Sequence, residues 1–191
     1  MKILLISTNR NALPMPVMPI GACIVAHAAE SAGHTVQFLD LMFTRDAMHD
    51  IESAVTDFKP DVVGLSIRNI DNVDMQAPVF FLDDLQSMVN KIRSRSGAPI
   101  ILGGAALGVM PEQILRLLPG TIAVVGDGEM VFPPLLDLIS RDERLSDLPG
   151  VAIPEYVSTR ELNWNLSLGN RGYFHLPRKR CLLPCFMFRL M

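Results

Sequence analysis

Apolar residues along the chain fall into five short runs, separated by segments in which apolar positions recur at a helical spacing. The runs cover residues 3–7, 35–39, 61–66, 99–102 and 122–125. In the third run, Val62, Val63 and Leu65 place apolar side chains on both sides of an extended backbone, which is typical of a parallel strand covered on both faces. The pattern therefore predicts five buried strands.

The spacing between and after these runs predicts helices at about residues 19–32, 47–58, 80–94, 111–118 and 131–140. Gly33 suits the position just after the first helix. Pro133 and Pro134 are expected only in the first turn of the last helix, because proline has no N–H. Strands alternating with helices predict an α/β domain with a doubly wound, five-stranded parallel sheet, flavodoxin-like or Rossmann-like, in the order 2-1-3-4-5. Residues 148–154 allow one more short extended piece.

Charge is distributed unevenly along the 191 residues, of which 49% are hydrophobic and 19% charged. Residues 156–191 carry six basic side chains and one acidic one, so this part has a charge of +5 and the rest −8, within a total of −3. The shift predicts one α/β domain over residues 1–155 and an irregular basic tail over residues 156–191. The negative total gives no reason to expect a nucleic acid partner.

Targeting signals and disulfides are also not expected. No run of about 18 uncharged apolar residues exists, so no membrane span is predicted, and the first eight residues fit a strand better than a signal peptide. The three cysteines are Cys23, Cys181 and Cys185, an odd and scattered set that does not form a disulfide framework. A reducing, cytoplasmic location is therefore predicted.

Ligands of such a sheet bind outside the carboxyl ends of the strands, and the loops expected there are distinctive. The first loop, residues 8–19, is rich in Pro and Met, and Ser66 ends the third strand. Gly103 and Gly104 follow the fourth strand, where the missing Cβ atoms let a bulky group approach the backbone. Residues 126–129, Gly-Asp-Gly-Glu, combine backbone N–H groups at a helix start with two carboxylates. This combination favours a ligand with amide or hydroxyl donors over a phosphate.

Each of these features also has a structural explanation that the sequence leaves open. The first loop can be an ordinary surface loop, Ser66 a strand-end cap, the glycine pair a tight turn, and residues 126–129 a helix cap. No phosphate-binding glycine motif is present, which argues against a dehydrogenase or an NTPase. The histidines have no evident acid–base or nucleophilic partner; they are His27, His34, His49 and His175.

Several segments carry a family resemblance when they are taken in their order along the chain. They read PIG at residues 19–21, GHTV at 33–36, PDVVGLS at 60–66, ILGG at 101–104, VVGDGE at 124–129 and LPG at 148–150. The chain resembles, over about residues 1–155, the N-terminal cobalamin-binding domain of cobalamin-dependent radical S-adenosylmethionine enzymes. The segment SIRNIDN at residues 66–72 also resembles the third-strand loop of that group.

The resemblance implies cobalamin as the cofactor, with the corrin ring over the carboxyl edge of the sheet. The lower nucleotide tail would enter a crevice between the first strand and the loops at Ser66 and Gly103. The residues implied to bind the cofactor are Thr8, Asn9, Pro19, Gly21, Ser66, Arg68, Asn69, Gly103, Gly104, Gly126, Asp127, Gly128 and Glu129. Other corrinoid-binding domains supply a histidine to cobalt from a first-loop D-x-H-x-x-G motif. This chain has no histidine before His27, so a histidine-off cobalt is expected.

The tail bears on the second half of the resemblance. In the full enzymes the cobalamin-binding domain is followed by a barrel with a C-x-x-x-C-x-x-C motif, whose three thiolates bind a [4Fe–4S] cluster. Cys181 and Cys185 have the spacing of the first two ligands, but Phe188 stands at the third position. The pair is either an incomplete iron–sulfur motif, the remnant of a radical domain, or a chance occurrence. Neither the cluster nor S-adenosylmethionine is expected to bind this chain.

Three hypotheses for function follow. The first is a corrinoid-binding module of a radical S-adenosylmethionine enzyme, not catalytic by itself, whose partner would be a radical catalytic domain. The second is a flavodoxin-like regulatory or interaction domain with no bound cofactor, which the missing histidine and the degenerate tail favour. The third is a small enzyme on a Rossmann-like sheet, such as a glycosyltransferase, against which the missing phosphate loop and catalytic dyad count.

Overall fold

One mixed sheet forms the centre of the protein in the computed structural model, which describes residues 1–145 and 147–153. Its strands are β1 (Lys2–Ser7), β2 (Thr35–Asp40), β3 (Val62–Ser66), β4 (Ile100–Gly103), β5 (Ile122–Val124) and β6 (Val151–Ala152). They lie in the order β2-β1-β3-β4-β5-β6. The first five are parallel, and β6 runs antiparallel to β5.

The predicted parallel strands and their order 2-1-3-4-5 are confirmed, but the predicted count of five strands is wrong by one. The additional strand comes from the segment after α6, where the N–H of Val125 donates to the carbonyl of Gly150 at 2.8 Å. Ala152, 6% exposed, then packs at the sheet edge. A strand of two residues is too short to show an alternating pattern, so its pairing depends on the tertiary fold.

The described helices connect these strands on both faces of the sheet. They are α1 (Ile20–Ser31), α2 (Ala47–Phe58), α3 (Leu82–Arg93), α4 (Ala105–Val109), α5 (Pro111–Leu117) and α6 (Gly128–Ser140). The sequence pattern did not predict α4, whose five residues are too few for a helical period. None of these helices is long and apolar enough to cross a membrane.

Helix α6 begins at Gly128, three residues before its predicted start, so Pro133 and Pro134 lie inside the helix. Their predicted restriction to the first turn is wrong. The two carbonyl groups that lose an N–H partner belong to Glu129 and Met130, and both residues are exposed. Water can therefore satisfy these carbonyl groups, and the helix continues through the prolines.

Two apolar layers pack on the two faces, as a doubly wound sheet requires. On one face α2, α3 and α5 cover alternate strand residues; Leu4, Ile6, Val63, Leu65, Ile100 and Leu102 belong to this cluster. On the other face α1 and α6 lie side by side over Ile3, Val62, Ile101 and Val124. We call the first the closed face and the second the crevice face, because among the described residues the large crevice at the carboxyl edge, of about 650 Å³, opens on the second.

Candidate functional site

A crevice of about 650 Å³ opens at the carboxyl ends of the strands, between the crevice face of the sheet, the first loop, α1 and α6. Its lining residues are Leu5, Ser7, Asn9, Val17, Met18, Pro19, Ile20, Gly21, Ala22, Val25, Gly64, Leu65, Ser66, Arg68, Ile101, Leu102, Gly103, Gly104, Ala105, Gly108, Val124, Gly126, Asp127, Gly128, Glu129 and Phe132. The volume lies within the range of small-molecule and cofactor sites, about 300–1,000 Å³.

Eleven of the thirteen predicted site residues line this crevice. The two others, Thr8 and Asn69, line a separate small cavity of about 30 Å³ beside it, and Asn9 and Arg68 contact both spaces. The structure therefore brings most of the predicted set together, whereas the role of each residue in binding stays a prediction.

Thr8 connects the ends of β1 and β3. Its backbone N–H and its Oγ1 both donate to the carbonyl oxygen of Ser66, at 3.1 and 3.0 Å. Beyond it, the Oδ1 of Asn9 accepts from the N–H of Asn11 at 3.2 Å and turns the first loop. This turn precedes the Met18 and Pro19 segment, which forms the outer wall of the crevice.

The glycine pair after β4 divides into two roles. A Cβ at Gly103 would meet no atom within 4 Å, so the adjacent space is the crevice itself. Gly104 has a φ of +97°, and a Cβ there would lie 2.5 Å from the carbonyl oxygen of Ile67. Gly104 is therefore required by the turn into α4, where the N–H of Ala106 donates to that same oxygen at 3.1 Å. Of the two glycines, only Gly103 is not required by the backbone geometry, and the space beside it is free for a ligand.

Residues 126–129 line the crevice at the end of β5. Gly126 has a φ of +99°, which a glycine adopts at little cost, and a Cβ at Gly128 would lie 2.9 Å from Cγ2 of Val25, which brings α6 close to α1. Asp127 occupies the N-cap position, yet its side chain makes no capping hydrogen bond. Asp127 and Glu129 are both exposed at the crevice mouth, which the exposed Arg68 also lines.

The strand register arranges the sheet side of the crevice in two rows. Ser7 pairs with Ser66, and Ser66 with Gly103, which forms an outer row at the carboxyl edge. Leu5 pairs with Gly64, and Gly64 with Ile101, which forms an inner row on the same face. The two rows are two positions apart along each strand, which corresponds to a distance of about 6.5 Å.

Sequence reasoning identified part of the outer row and missed the inner row. Gly64 carried the available signal, since a glycine within a strand often marks a close approach of another group. A Cβ there would lie 2.6 Å from Cδ1 of Leu5 and 3.7 Å from Cζ of Phe132. Leu5 and Phe132 therefore fill the position that a larger residue would occupy and close the crevice floor.

The described part of the chain places neither a histidine nor a cluster of potential metal ligands in the crevice. None of its lining residues is a histidine, and no group of three or more potential metal ligands occurs among the described residues. Burial, followed by the positive Met1 amino group, lowers the pKa of His34, while Asp137 opposes this effect. Cys181 and Cys185 lie outside the described residues, as do the predicted domain boundary at residue 155 and the tail.

An open α/β sheet with a deep crevice at its carboxyl edge, apolar at the floor and polar at the mouth, defines a ligand-binding domain of the flavodoxin-like class. The sequence model of the B12 binding domain family matches residues 7–136, which include every residue that lines the crevice except Leu5. The chain therefore belongs to the B12-binding domain family.

Individual relatives agree with this assignment. The tryptophan 2-C-methyltransferase of Streptomyces laurentii is 26% identical over 152 residues, covering 76% of this chain and 25% of that protein. The hopanoid C-3 methylase of Methylococcus capsulatus is 26% identical over 136 residues, covering 70% and 24%. The chain thus spans about a quarter of the length of the curated relatives it matches.

Solved structures show the same fold. The radical S-adenosylmethionine methyltransferase TsrM from Kitasatospora setae, with tryptophan and an S-adenosylmethionine analogue bound, superposes with a TM-score of 0.73 at 27% identity, covering 78% of this chain and 28% of that one. The same enzyme with cobalamin and a [4Fe–4S] cluster bound gives a TM-score of 0.67 at 28% identity, covering 78% and 26%. The chain accordingly resembles the cobalamin-binding modules of radical S-adenosylmethionine enzymes.

Proposed function

We propose that this chain binds cobalamin as the cofactor-holding module of a radical S-adenosylmethionine enzyme. The observation that carries the proposal is the crevice itself, which lies at the carboxyl edge of a sheet belonging to the B12-binding family. In this proposal the corrin ring would lie over the carboxyl edge, and the lower nucleotide tail would enter the crevice between the sheet and helices α1 and α6.

The crevice fits such a tail by shape. Gly21, Gly103, Gly108 and Gly126 line it, and a Cβ at any of the four would meet no atom within 4 Å. Glycines on several walls leave a slot into which a flat ring system can slide, and a side chain at one of them would occupy that slot. The mouth offers the amide of Asn9 and the carboxylates of Asp127 and Glu129, which can accept hydrogen bonds from the amide groups around a corrin ring.

Cobalt in this proposal has no histidine ligand from this chain. No described residue lining the crevice is a histidine, and the histidines of the described part lie on α1, before β2 and on α2. Electron paramagnetic resonance of the chain loaded with cob(II)alamin tests this. We expect the spectrum to stay unchanged when the protein's histidines are labelled with 15N, because a nitrogen splitting from the cofactor's own dimethylbenzimidazole is not altered by that label. A splitting that changes from three lines to two on labelling would contradict the histidine-off assignment.

The module does not catalyse a reaction alone in this proposal, because the chemistry of the alkyl–cobalt bond belongs to the cofactor and the protein supplies placement and exclusion of water. Its partner is a radical catalytic domain that covers the carboxyl edge. Exposed large apolar side chains at that edge support a covering domain. They are Leu13, Met15, Met18, Ile20, Phe43, Val73, Met75, Val79, Phe80, Val109 and Met130. The gene sequence beyond codon 191 tests this part, and a reading frame for a barrel domain supports it.

A titration of the full chain with hydroxocobalamin, followed by absorbance, tests the binding. We expect a saturable spectral change, and we expect Gly103→Phe to weaken affinity at least tenfold because its ring fills the slot. Gly97→Phe is the matched control: Gly97 is exposed, lies outside the crevice, and a Cβ there also meets nothing within 4 Å. Gly104 is unsuitable for this test, because its substitution disturbs the backbone contact with Ile67.

Folded protein that gives no spectral change at high micromolar hydroxocobalamin contradicts the proposal. That result would favour the alternative, a flavodoxin-like interaction domain without a cofactor, for which the exposed apolar side chains at the carboxyl edge would form the docking surface. The cytoplasmic location stays a prediction.

A further inference from the structure

The polarity of the crevice changes sharply with depth. The polar side chains all lie at the mouth or in the outer row; they are Ser7, Asn9, Ser66, Arg68, Asp127 and Glu129. The floor consists of the inner row with Phe132 above it, and none of these residues, Leu5, Gly64, Ile101 and Phe132, has a polar side-chain atom. A ligand that reaches the floor therefore leaves the polar groups behind.

The backbone of the inner row offers no hydrogen bond either. Leu5, Gly64 and Ile101 lie on β1, β3 and β4, and each of these strands has a parallel neighbour on both sides. The N–H and C=O groups of a central strand are used by the two flanking ladders. Gly64 itself has no side chain that could form a hydrogen bond, and Leu5 and Phe132 fill the space beside it. Among the described residues, the floor thus provides neither donor nor acceptor.

Burying a polar group without a partner is costly, whereas burying an apolar group is favourable. A site with an apolar floor therefore discriminates between two ligands of similar size that differ in polar atoms at their inserted end. Corrinoids differ in this way, because the base of the lower nucleotide is in some a benzimidazole with two methyl groups and in others a purine.

We propose that the inner row selects the base of the corrinoid's lower nucleotide, accepting dimethylbenzimidazole and rejecting adenine. This inference rests on the proposed cobalamin binding. The two bases share an imidazole ring and differ in the fused six-membered ring. In dimethylbenzimidazole that ring is hydrocarbon and gains from contact with Leu5, Ile101 and Phe132. In adenine it carries two ring nitrogens and an amino group, which the floor leaves unpaired.

The test is a titration of the full chain with three ligands: cobalamin, the corrinoid whose lower base is adenine, and cobinamide, which has no nucleotide. Absorbance or quenching of protein fluorescence gives each Kd. We expect cobalamin to bind at least tenfold more tightly than the adenine form, equivalent to about 1.4 kcal/mol. Equal affinity for the cobalamin and adenine forms would overturn the selection while leaving the proposed function intact. Failure of all three ligands to bind would overturn the proposed function, and this inference with it.

A pair of variants on one strand shows whether the inner row is responsible. Ile101→Thr introduces a hydroxyl into the floor, and Ile100→Thr makes the same change on the closed face of β4; both isoleucines are 2% exposed. We expect Ile101→Thr to reduce the preference for cobalamin over the adenine form at least threefold, and Ile100→Thr to leave the ratio unchanged. Ile101→Val, which stays apolar, is expected to retain the preference if the threonine variant proves too unstable. An unchanged ratio in Ile101→Thr, or its loss in Ile101→Val, would contradict the assignment.

Discussion

The two faces of the sheet are built from the same strands, yet at the carboxyl end one holds a cavity of about 30 Å³ and the other a crevice of about 650 Å³. On the closed face β3 presents Val63 and Leu65, both buried, and the cluster continues through α2 and α3. On the crevice face β3 presents Val62, then Gly64, which has no side chain, and then Ser66, whose side chain is small and polar. A binding site on this fold therefore arises from the choice of every second residue rather than from a special loop alone.

The largest expected effect is on the closed face. Leu65→Ala removes a side chain that is 1% exposed, and such a deletion costs about 2–5 kcal/mol, because a cavity remains. Ser66→Ala, the next residue but on the crevice face, is expected to change stability by less than about 0.5 kcal/mol. Urea denaturation followed by circular dichroism measures both. Similar losses in the two variants would mean that the faces do not differ as described.

The second comparison concerns the glycine pair. Gly104→Ala places a Cβ at a φ of +97° and against the Ile67 backbone, so we expect it to destabilise the fold by more than about 1 kcal/mol. Gly103→Ala meets no atom within 4 Å, and we expect a change of less than about 1 kcal/mol together with weaker corrinoid binding. Unfolding curves and corrinoid titrations of the two variants distinguish the glycine that the turn requires, Gly104, from the glycine that faces the ligand, Gly103. Equal stability of the variants would contradict that separation.

A smaller effect is expected at the amino end of the crevice face, where burial and the Met1 amino group lower the pKa of His34. The folded state then disfavours the charged imidazole, and the unfolded state binds more protons below the ordinary pKa of about 6.5. The contribution of His34 is thus fully present above that pH and is lost as the pH falls below it. We expect His34→Gln to flatten the decline of unfolding free energy between pH 7.5 and 5.5. Parallel profiles for the two proteins would show that His34 does not contribute.

The smallest effect is expected on the surface of the closed face, where Glu52 of α2 bridges Lys91 and Arg95 at the end of α3. The hydrogen bond from Lys91 Nζ, at 2.9 Å, and the contact with Arg95 lower the pKa of Glu52. The stabilisation is present above the ordinary carboxyl pKa and is lost as the pH falls through the lowered value. We expect Glu52→Gln to lower Tm slightly at low salt and not at high salt, because salt screens exposed pairs. A decrease in Tm that does not depend on salt would indicate that Glu52 stabilises the protein through packing and not through its charge.

Much of the fold could be predicted from local patterns. The apolar runs predicted β1 to β5, because a buried parallel strand needs apolar residues on both faces. Their order was predicted from the common arrangement of doubly wound sheets. Helix α4 could not be predicted in the same way, since its five residues show no period. For β6 the sequence allowed a short extended piece at residues 148–154 but did not indicate its pairing. The prolines of α6 misled the prediction because their effect depends on whether exposed carbonyl groups can reach water.

The candidate site was predictable where chemistry follows a strand end. The glycines and the Gly-Asp-Gly-Glu segment were recognisable there, and eleven of thirteen predicted residues line the crevice. The inner row was not recognisable, because which of two adjacent apolar residues faces a ligand depends on register and on the helices that cover each face. Thr8 was assigned to the site from the family resemblance; its hydroxyl donates to the carbonyl oxygen of Ser66, and its role in binding stays a prediction.

The sequence alone determined the class of the protein, since strand hydrophobicity, helix periodicity and glycine punctuation are local properties that survive without a tertiary context. Its family resemblance also followed from the order of short segments along the chain. The tertiary structure alone decided that Gly103 faces the crevice while Gly104 supports a turn, and that Leu5, Gly64 and Ile101 form an apolar floor. Ile100 and Ile101 are identical neighbours, yet they belong to different layers because alternate residues of a strand face opposite sides of the sheet. Only the packing of those layers decides which face is filled and which binds a ligand.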